Sequence, residues 1–218
     1  MEKVNVATMI TTTFIPEAVV LADGDYPSHP YPLSLLEQSP TVVCCDGAAE
    51  SYFAHGHRPE AIVGDGDSLS AASKRKFAEK LVIVDEQETN DLSKAMRFLR
   101  RHGFQKVAIV GATGKREDHT LGNISLLMEY LNQGFEVRMI TDHGVFVPAR
   151  DTQTFESERG QQISVFNFDA KHLQSEGLVY PIGDLSAWWK GTLNEAQNAS
   201  FTIRAEGNYL VYKAYRPL

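Results

Sequence analysis

Aspartate recurs wherever the short apolar runs of this chain break off. Asp46 follows the run 41–45, and Asp65 and Asp67 follow 61–63. Asp85 and then Asp91 follow 81–84, Asp118 lies beyond 106–110, and Asp142 follows 136–141. A lone Asp at such a point has an ordinary use: it caps the free N–H groups of the next helix and meets the positive end of its dipole. Asp91 and Asp118 suit that use as well as they suit a ligand, Asp85 reads as a turn residue, and Asp142 stands open between the two. Asp65 and Asp67 differ. Two carboxylates one residue apart, on a turn with Gly64 and Gly66, repel each other unless a cation neutralises them. Together with Asp46 and Asp91 they read as a Mg²⁺ site. Mg²⁺ takes oxygen ligands, keeps waters and shares its shell with substrate phosphates, so the reading implies a nucleotide.

A place for phosphate follows the run 106–110. Gly111-Ala112-Thr113-Gly114 is a turn whose backbone N–H groups can approach an anion, with a helix behind it and Lys115 and Arg116 adding positive charge. It is not a Walker A loop: Ile109 stands where the first glycine belongs, and Arg116 where Ser or Thr belongs. No G-x-G-x-x-G follows any of the runs, which disfavours a dinucleotide dehydrogenase.

The elements that must position these residues show as alternation. The runs 17–22, 41–45, 61–63, 81–84, 106–110 and 136–141 are short, apolar on both faces and bounded by Gly or Asp, as buried parallel strands are. Between them, 91–102 carries Leu92, Ala95, Met96 and Leu99 on one helical face, with Gly103 to end it. The stretch 118–132 carries Leu121, Ile124, Ser125, Met128 and Leu131 along a stripe ended by Gly134. This predicts a doubly wound α/β fold, a mostly parallel sheet with helices on both faces, over 1–142. From 143 to 218 no long helix is evident. Short alternating segments (144–148, 152–156, 161–167, 177–181, 200–205, 209–215) and 11 of the 21 aromatic residues predict a second domain, an antiparallel β-sandwich.

Composition narrows the function. The 218 residues carry 21 Lys and Arg against 28 Asp and Glu, a net charge of −7, which argues against a nucleic-acid partner held by phosphate neutralisation. Hydrophobic residues at 43% and charged residues at 22% suit a globular chain long enough to bury a core. Cys44 and Cys45, adjacent in an apolar run, read as buried thiols, not as a disulfide framework. The N-terminal stretch lacks the marks of a secretory signal, and no run approaches the roughly 18 apolar residues of a membrane span, so the expectation is a cytoplasmic protein without a membrane partner.

These residues carry a resemblance. Leu21-Ala22-Asp23-Gly24-Asp25-Tyr26-Pro27, Cys45-Asp46-Gly47-Ala48, Gly64-Asp65-Gly66-Asp67-Ser68, Thr89-Asn90-Asp91-Leu92-Ser93-Lys94-Ala95 and Arg116-Glu117-Asp118-His119-Thr120-Leu121-Gly122-Asn123 appear in an order that resembles the thiamin pyrophosphokinase family. Gly177-Leu178-Val179-Tyr180-Pro181 and Gly191-Thr192-Leu193-Asn194-Glu195 extend the resemblance through the last third. It implies a nucleotide-binding α/β domain joined to a thiamine-binding β-sandwich, working as a homodimer with sites between subunits. The implied reaction moves pyrophosphate from Mg·ATP to the hydroxyl of thiamine and releases AMP. Gly66, where the family usually has a bulky residue, implies a looser turn, and Leu193 stands where the family commonly has Ser.

On this reading Asp46, Asp65, Asp67 and Asp91 bind Mg²⁺ and carry the catalysis, with Asp67 or Asp91 orienting or deprotonating the hydroxyl. Gly111, Thr113, Gly114, Arg116, Asp118 and His119 hold ATP. Lys94 either reaches phosphate or lies solvated on its helix. Asn194, Thr192 and Trp188 are the candidates for the acceptor, the last by stacking, with Trp189 beside it. Three rivals share parts of the pattern. One is a pyrophosphokinase for another heterocyclic alcohol such as a hydroxymethylpterin. The second is a non-catalytic nucleotide-binding regulator, which has no need of so many carboxylates. The third is a metal-dependent sugar-nucleotide transferase, which the short chain and β-rich tail fit poorly.

Overall fold

The computed structural model describes residues 14–217; the first 13 residues of the N-terminal stretch lie outside them. The chain divides after Asp142 into two units, Ile15–Asp142 and a second made by His143 onward together with Phe14.

In the first unit the elements run β1 (Ala18–Leu21), α1 (Pro30–Gln38), β2 (Val42–Cys45), α2 (Ala48–Ala54), β3 (Ala61–Gly64), α3 (Ala71–Lys76), β4 (Leu81–Ile83), α4 (Asp91–Arg101), β5 (Lys106–Val110), α5 (Glu117–Asn132) and β6 (Glu136–Ile140). The six strands are parallel, in the order β6-β5-β1-β2-β3-β4. The chain thus builds outward from β1 to β4, then crosses back to place β5 on the other side of β1. The reversal between β1 and β5 is a topological switch point, where the loops at the carboxyl ends diverge and leave a crevice.

The strands form as expected because their residues are apolar on both faces: β1, β2 and β3 are buried throughout. The edge strand β4 is the exception, since Leu81 and Val82 are half-buried and Ile83 is 51% exposed. On α4 the whole expected stripe is buried, against β1, β2 and β3. Truncating Leu99, fully buried there, would cost about 2–5 kcal/mol. On α5 the expected stripe is displaced: Leu127, Met128 and Tyr130 are buried, whereas Leu121 is 56% exposed. The C-terminal half of α5 packs on β6, and its first turns border a cleft instead of the core. Asp91 is not the cap of α4. Asn90 caps it, accepting the Ser93 N–H at 2.9 Å. Asp142 is a clamp: its carboxylate accepts both the N–H and the hydroxyl of Ser28 and the N–H of His29.

The second unit contains β7 (Gly144–Arg150), β8 (Gln153–Glu156), β9 (Gln161–Asn167), β10 (Lys171–Glu176), a 3₁₀ turn at Trp188–Gly191, β11 (Asn194–Glu195), β12 (Ser200–Glu206) and β13 (Asn208–Pro217). Strands β11-β9-β13-β7 and β10-β12-β8 pair antiparallel as the two layers of a sandwich. Phe155, Phe201, Tyr209, Ile163, Val165 and Ile203 fill the space between them. The expected strand 177–181 is absent, reduced to one bridge between Leu178 and Ala196. The strand is instead the more polar Lys171–Glu176, an edge with a register shift at His172, where polar side chains face water on both sides and leave no alternation to read. Cys44 and Cys45 are free and buried, and burial pushes both thiols up.

Candidate active site

A cleft of about 610 Å³ opens at the carboxyl ends of the parallel strands. Its walls are the end of β2 (Cys45), the loops after β1 (Ala22, Asp23, Gly24), β3 (Asp65, Ser68), β4 (Gln87, Thr89, Asn90) and β5 (Ala112, Gly114 to Arg116), with Asp91 and Lys94 on α4 and Asp118, His119, Gly122 and Asn123 on α5. The loops after β1 and β5 are joined at the switch point: Gly24 N–H donates to the Gly111 carbonyl at 2.6 Å and Asp25 N–H to the Thr113 carbonyl at 2.8 Å.

Asp46 lies buried behind the acidic side and does not itself line the cleft. This residue is 1% exposed. Its Oδ2 accepts the Ser68 N–H at 2.8 Å, and its Oδ1 is buried without any hydrogen-bond partner. Burial raises its pKa, with the negative charges of Asp91 and Asp65 adding to the effect. The close approach depends on Gly64: a Cβ there would lie 2.7 Å from the Asp46 Cβ and 3.3 Å from Asp91 Oδ1. Asp65 behaves in the opposite way. Its Oδ1 accepts the Asp67 N–H at 3.0 Å and its Oδ2 the Gln87 side chain at 3.2 Å, and these hydrogen bonds hold its carboxyl below the usual range. Asp67 is exposed and does not line the cleft. Gly66 takes φ +82°, a left-handed conformation in which a side chain is strained.

Lys94 is not solvated. Its side chain is 2% exposed, and its ammonium donates to Asp91 Oδ1 at 3.1 Å. One cation is thereby held inside the acidic cluster, close enough to help keep Asp65 ionised.

On the other wall, Arg116 grips Asp118 with two parallel hydrogen bonds, Nε to Oδ1 at 3.1 Å and Nη2 to Oδ2 at 2.6 Å, and Asp118 also accepts the His119 N–H. Both side chains are exposed at the rim. Gly114, Arg116, Asp118 and His119 line the cleft; Gly111 and Thr113 lie behind it, their carbonyls engaged by the β1 loop. Lys115 pairs with Asp23 at 2.8 Å. Asp23, not among the candidates above, follows β1 as the other aspartates follow their strands and lines the cleft. Gln87 carried no sequence signal.

The residues present suit a Mg²⁺ ion. Among the described residues no three His, Cys, Asp or Glu side chains are gathered closely enough to hold a metal ion by themselves. An orphaned, buried carboxylate oxygen with two further carboxylates nearby is still what a hard cation requires, and Mg²⁺ completes its shell with waters and phosphate oxygens.

The remaining candidates lie in the second unit. Asn194 is buried, and its amide is engaged locally: Oδ1 accepts from Tyr180 N–H at 3.1 Å and Glu195 N–H at 2.9 Å, and Nδ2 donates to the Tyr180 carbonyl at 2.6 Å. Thr192 donates its hydroxyl to the Trp189 carbonyl at 2.7 Å. Trp188 is anchored by Nε1 to the Asn167 carbonyl at 2.9 Å and packs on Phe166 and Phe168. Trp189, at 72% exposed, and Leu193, at 80%, present the open apolar surface beside them.

Residues 33–139 match the profile of "Thiamin pyrophosphokinase, catalytic domain" and residues 144–212 that of "Thiamin pyrophosphokinase, substrate-binding domain". The chain is 28% identical over 134 residues to thiamine pyrophosphokinase of Bacillus subtilis (strain 168), covering 58% of this chain and 63% of that one. It is 31% identical over 123 residues to thiamine pyrophosphokinase 1 of Oryza sativa subsp. japonica, covering 45% and 47%. The matches thus span less than two thirds of these relatives' lengths. In fold, it resembles the crystal structures of thiamine pyrophosphokinase from Bacillus subtilis (TM-score 0.75, 21% identity, 90% of this chain and 98% of that one) and of yeast thiamin pyrophosphokinase (TM-score 0.78, 14% identity, 96% and 89%).

Proposed function

The chain belongs to the thiamin pyrophosphokinase family, and from that premise we propose that it transfers pyrophosphate from Mg·ATP to the hydroxyl of thiamine, giving thiamine diphosphate and AMP. The observation that carries the reading is the ordered match of both of the family's parts, catalytic and substrate-binding, to the two units of this chain.

In this reaction the thiamine hydroxyl oxygen attacks the β-phosphorus of ATP. The bond from that phosphorus to the oxygen bridging the α- and β-phosphates breaks, AMP leaves with that oxygen, and the hydroxyl proton passes to a carboxylate or water. Such transfers need positioning and charge neutralisation more than covalent chemistry. Asp46 and Asp91, with Asp65 and Asp67, would hold Mg²⁺, directly or through water. When bound, the ion neutralises phosphate charge and lets an acidic sheet edge accept ATP. Lys94, held by Asp91, supplies a fixed positive charge at the cleft wall. Gly114, Arg116, Asp118 and His119 border the space for the nucleotide. Asp67 or Asp91 orients the acceptor hydroxyl; Asp91 lines the cleft, and Asp67 is the most exposed of the four aspartates, outside its lining. Residues 143–218 supply the thiamine contacts, with Trp189 and Trp188 as the aromatic surface for its rings and Asn194 shaping the loop beside them. The working form we propose is a cytoplasmic homodimer with sites between subunits.

Incubating the protein with ATP, Mg²⁺ and thiamine and identifying products by mass spectrometry tests this. Thiamine diphosphate with AMP supports it. Thiamine monophosphate with ADP marks a simple kinase, and absence of any thiamine product removes thiamine as the acceptor; either result overturns the proposal.

A further inference from the structure

We propose that Glu86 is a positioning residue for this cleft: its carboxylate ties the β4–α4 loop to Arg97 of α4, and the tied loop holds Gln87 on Asp65 and Asn90 on Asn123. The inference rests on the reading of the cleft as the pyrophosphate-transfer site.

Glu86 does not line the cleft. It faces a separate pocket of about 310 Å³ behind the wall, with Arg97, Phe98 and Val84. There its carboxylate gathers four hydrogen bonds. Oε2 accepts the N–H groups of Glu88 at 2.8 Å and Thr89 at 3.0 Å. Oε1 accepts the Thr89 hydroxyl and the Arg97 guanidinium, and Arg97 also donates to Thr89 Oγ1 at 3.0 Å. The Thr89 hydroxyl, with Arg97 behind it, draws the Glu86 carboxyl down to about 2, so the tie is ionised at any working pH.

The consequence appears on the other side of the loop. Gln87, the next residue, donates to Asp65 Oδ2 at 3.2 Å. Asn90 donates to Asn123 Oδ1 at 3.2 Å, and Asn123 donates in turn to the Ala112 carbonyl at 2.9 Å. Hydrogen bonds thus tie Arg97 to Glu86 and Thr89, and the residues next to these in the chain carry the tie on: Asn90 to α5 and the loop after β5, and Gln87 to the acidic side. Only a carboxylate serves at position 86. An amide has one oxygen to offer, and its NH₂ would meet donors from Arg97 or Thr89.

Glu86→Gln in the full chain tests this, read by amide hydrogen exchange at Glu88 and Thr89, by ATP affinity and by steady-state kinetics. We expect exchange at both amides to accelerate about tenfold or more and the ATP Kd to rise about tenfold. In turnover, kcat falls about 10- to 100-fold while the KM for thiamine stays within about twofold, as misplacement of an otherwise intact site produces. Gln87→Ala, which leaves the tie intact, should lower kcat with the Glu88 and Thr89 amides still protected; this variant and Glu86→Asp carry the test if Glu86→Gln does not fold. Unchanged exchange in Glu86→Gln, or a loosened loop with wild-type kcat and ATP affinity, overturns the proposal. A wild-type protein that binds ATP but makes no thiamine diphosphate overturns the assigned reaction alone; exchange and ATP affinity in Glu86→Gln then still decide whether Glu86 positions the cleft.

Discussion

Asp46 and Ser68 share one hydrogen bond, Ser68 N–H to Asp46 Oδ2 at 2.8 Å, and that single bond leaves the other oxygen of a buried carboxylate facing its like-charged neighbours with no donor at all. Such a group weakens the fold in the absence of a cation. Because burial raises its pKa above the ordinary 3.8, its stabilising contribution is complete below that value and is lost as pH rises through the raised folded value.

Asp46→Asn should therefore raise the melting temperature of the Mg²⁺-free protein at neutral pH by roughly 2–4 °C, the shift that about 1 kcal/mol produces in a chain of this size. The gain should shrink towards pH 4. Turnover should fall about 100-fold or more. Melting curves with and without Mg²⁺ check the assignment: the ion should stabilise wild type more than the variant, and equal stabilisation of both would sink it.

Asp65→Asn and Asp67→Asn separate two roles. Each should cut Mg²⁺-dependent turnover by about 100-fold or more with the fold retained. Asp65 is held below the usual carboxylate range by the Asp67 N–H and by Gln87, so its loss should also loosen the turn, whereas loss of exposed Asp67 should leave the melting temperature unchanged. Full activity in either variant would remove that residue from the site.

Gly66→Ala tests the geometry of the same turn. The alanine would have to hold φ +82° with its Cβ 3.3 Å from the Ile83 side chain. The expected cost is about 1–2 kcal/mol, read by denaturant unfolding, together with weaker Mg²⁺ activation as the two carboxylates shift. A variant with unchanged stability would show that the turn relaxes freely.

Asn194→Ala removes three hydrogen bonds from a buried position and strands the Tyr180 and Glu195 backbone groups. The expected loss is about 2–3 kcal/mol by thermal or chemical unfolding, with weaker thiamine binding as the loop at Tyr180 is released. If stability holds and only thiamine binding falls, Asn194 contacts the substrate directly and is not a latch.

Much of this was legible along the chain. The buried strands announce themselves because both faces are apolar, and α4 does so because its stripe repeats at helical spacing. Aspartates that follow consecutive parallel strands must share one edge of the sheet, so Asp46, Asp65 and Asp91 group together from the sequence alone. Reading failed where surroundings outrank local pattern. The α5 stripe was misplaced because half of that helix borders a cleft, and Lys171–Glu176 is a strand made by its pairing with β12, not by its own residues.

What the sequence determined by itself is the set of elements and the family, since apolar periodicity and ordered motifs are properties of neighbouring residues. What only the tertiary structure decided is the state of each side chain. Lys94 is a buried partner of Asp91, Asn194 latches its own loop, and Glu86, with no motif to mark it, ties down a cleft wall. Burial, hydrogen-bond partners and the field of distant charges arise between residues far apart in the chain. They exist only once the strands have chosen their order around β1.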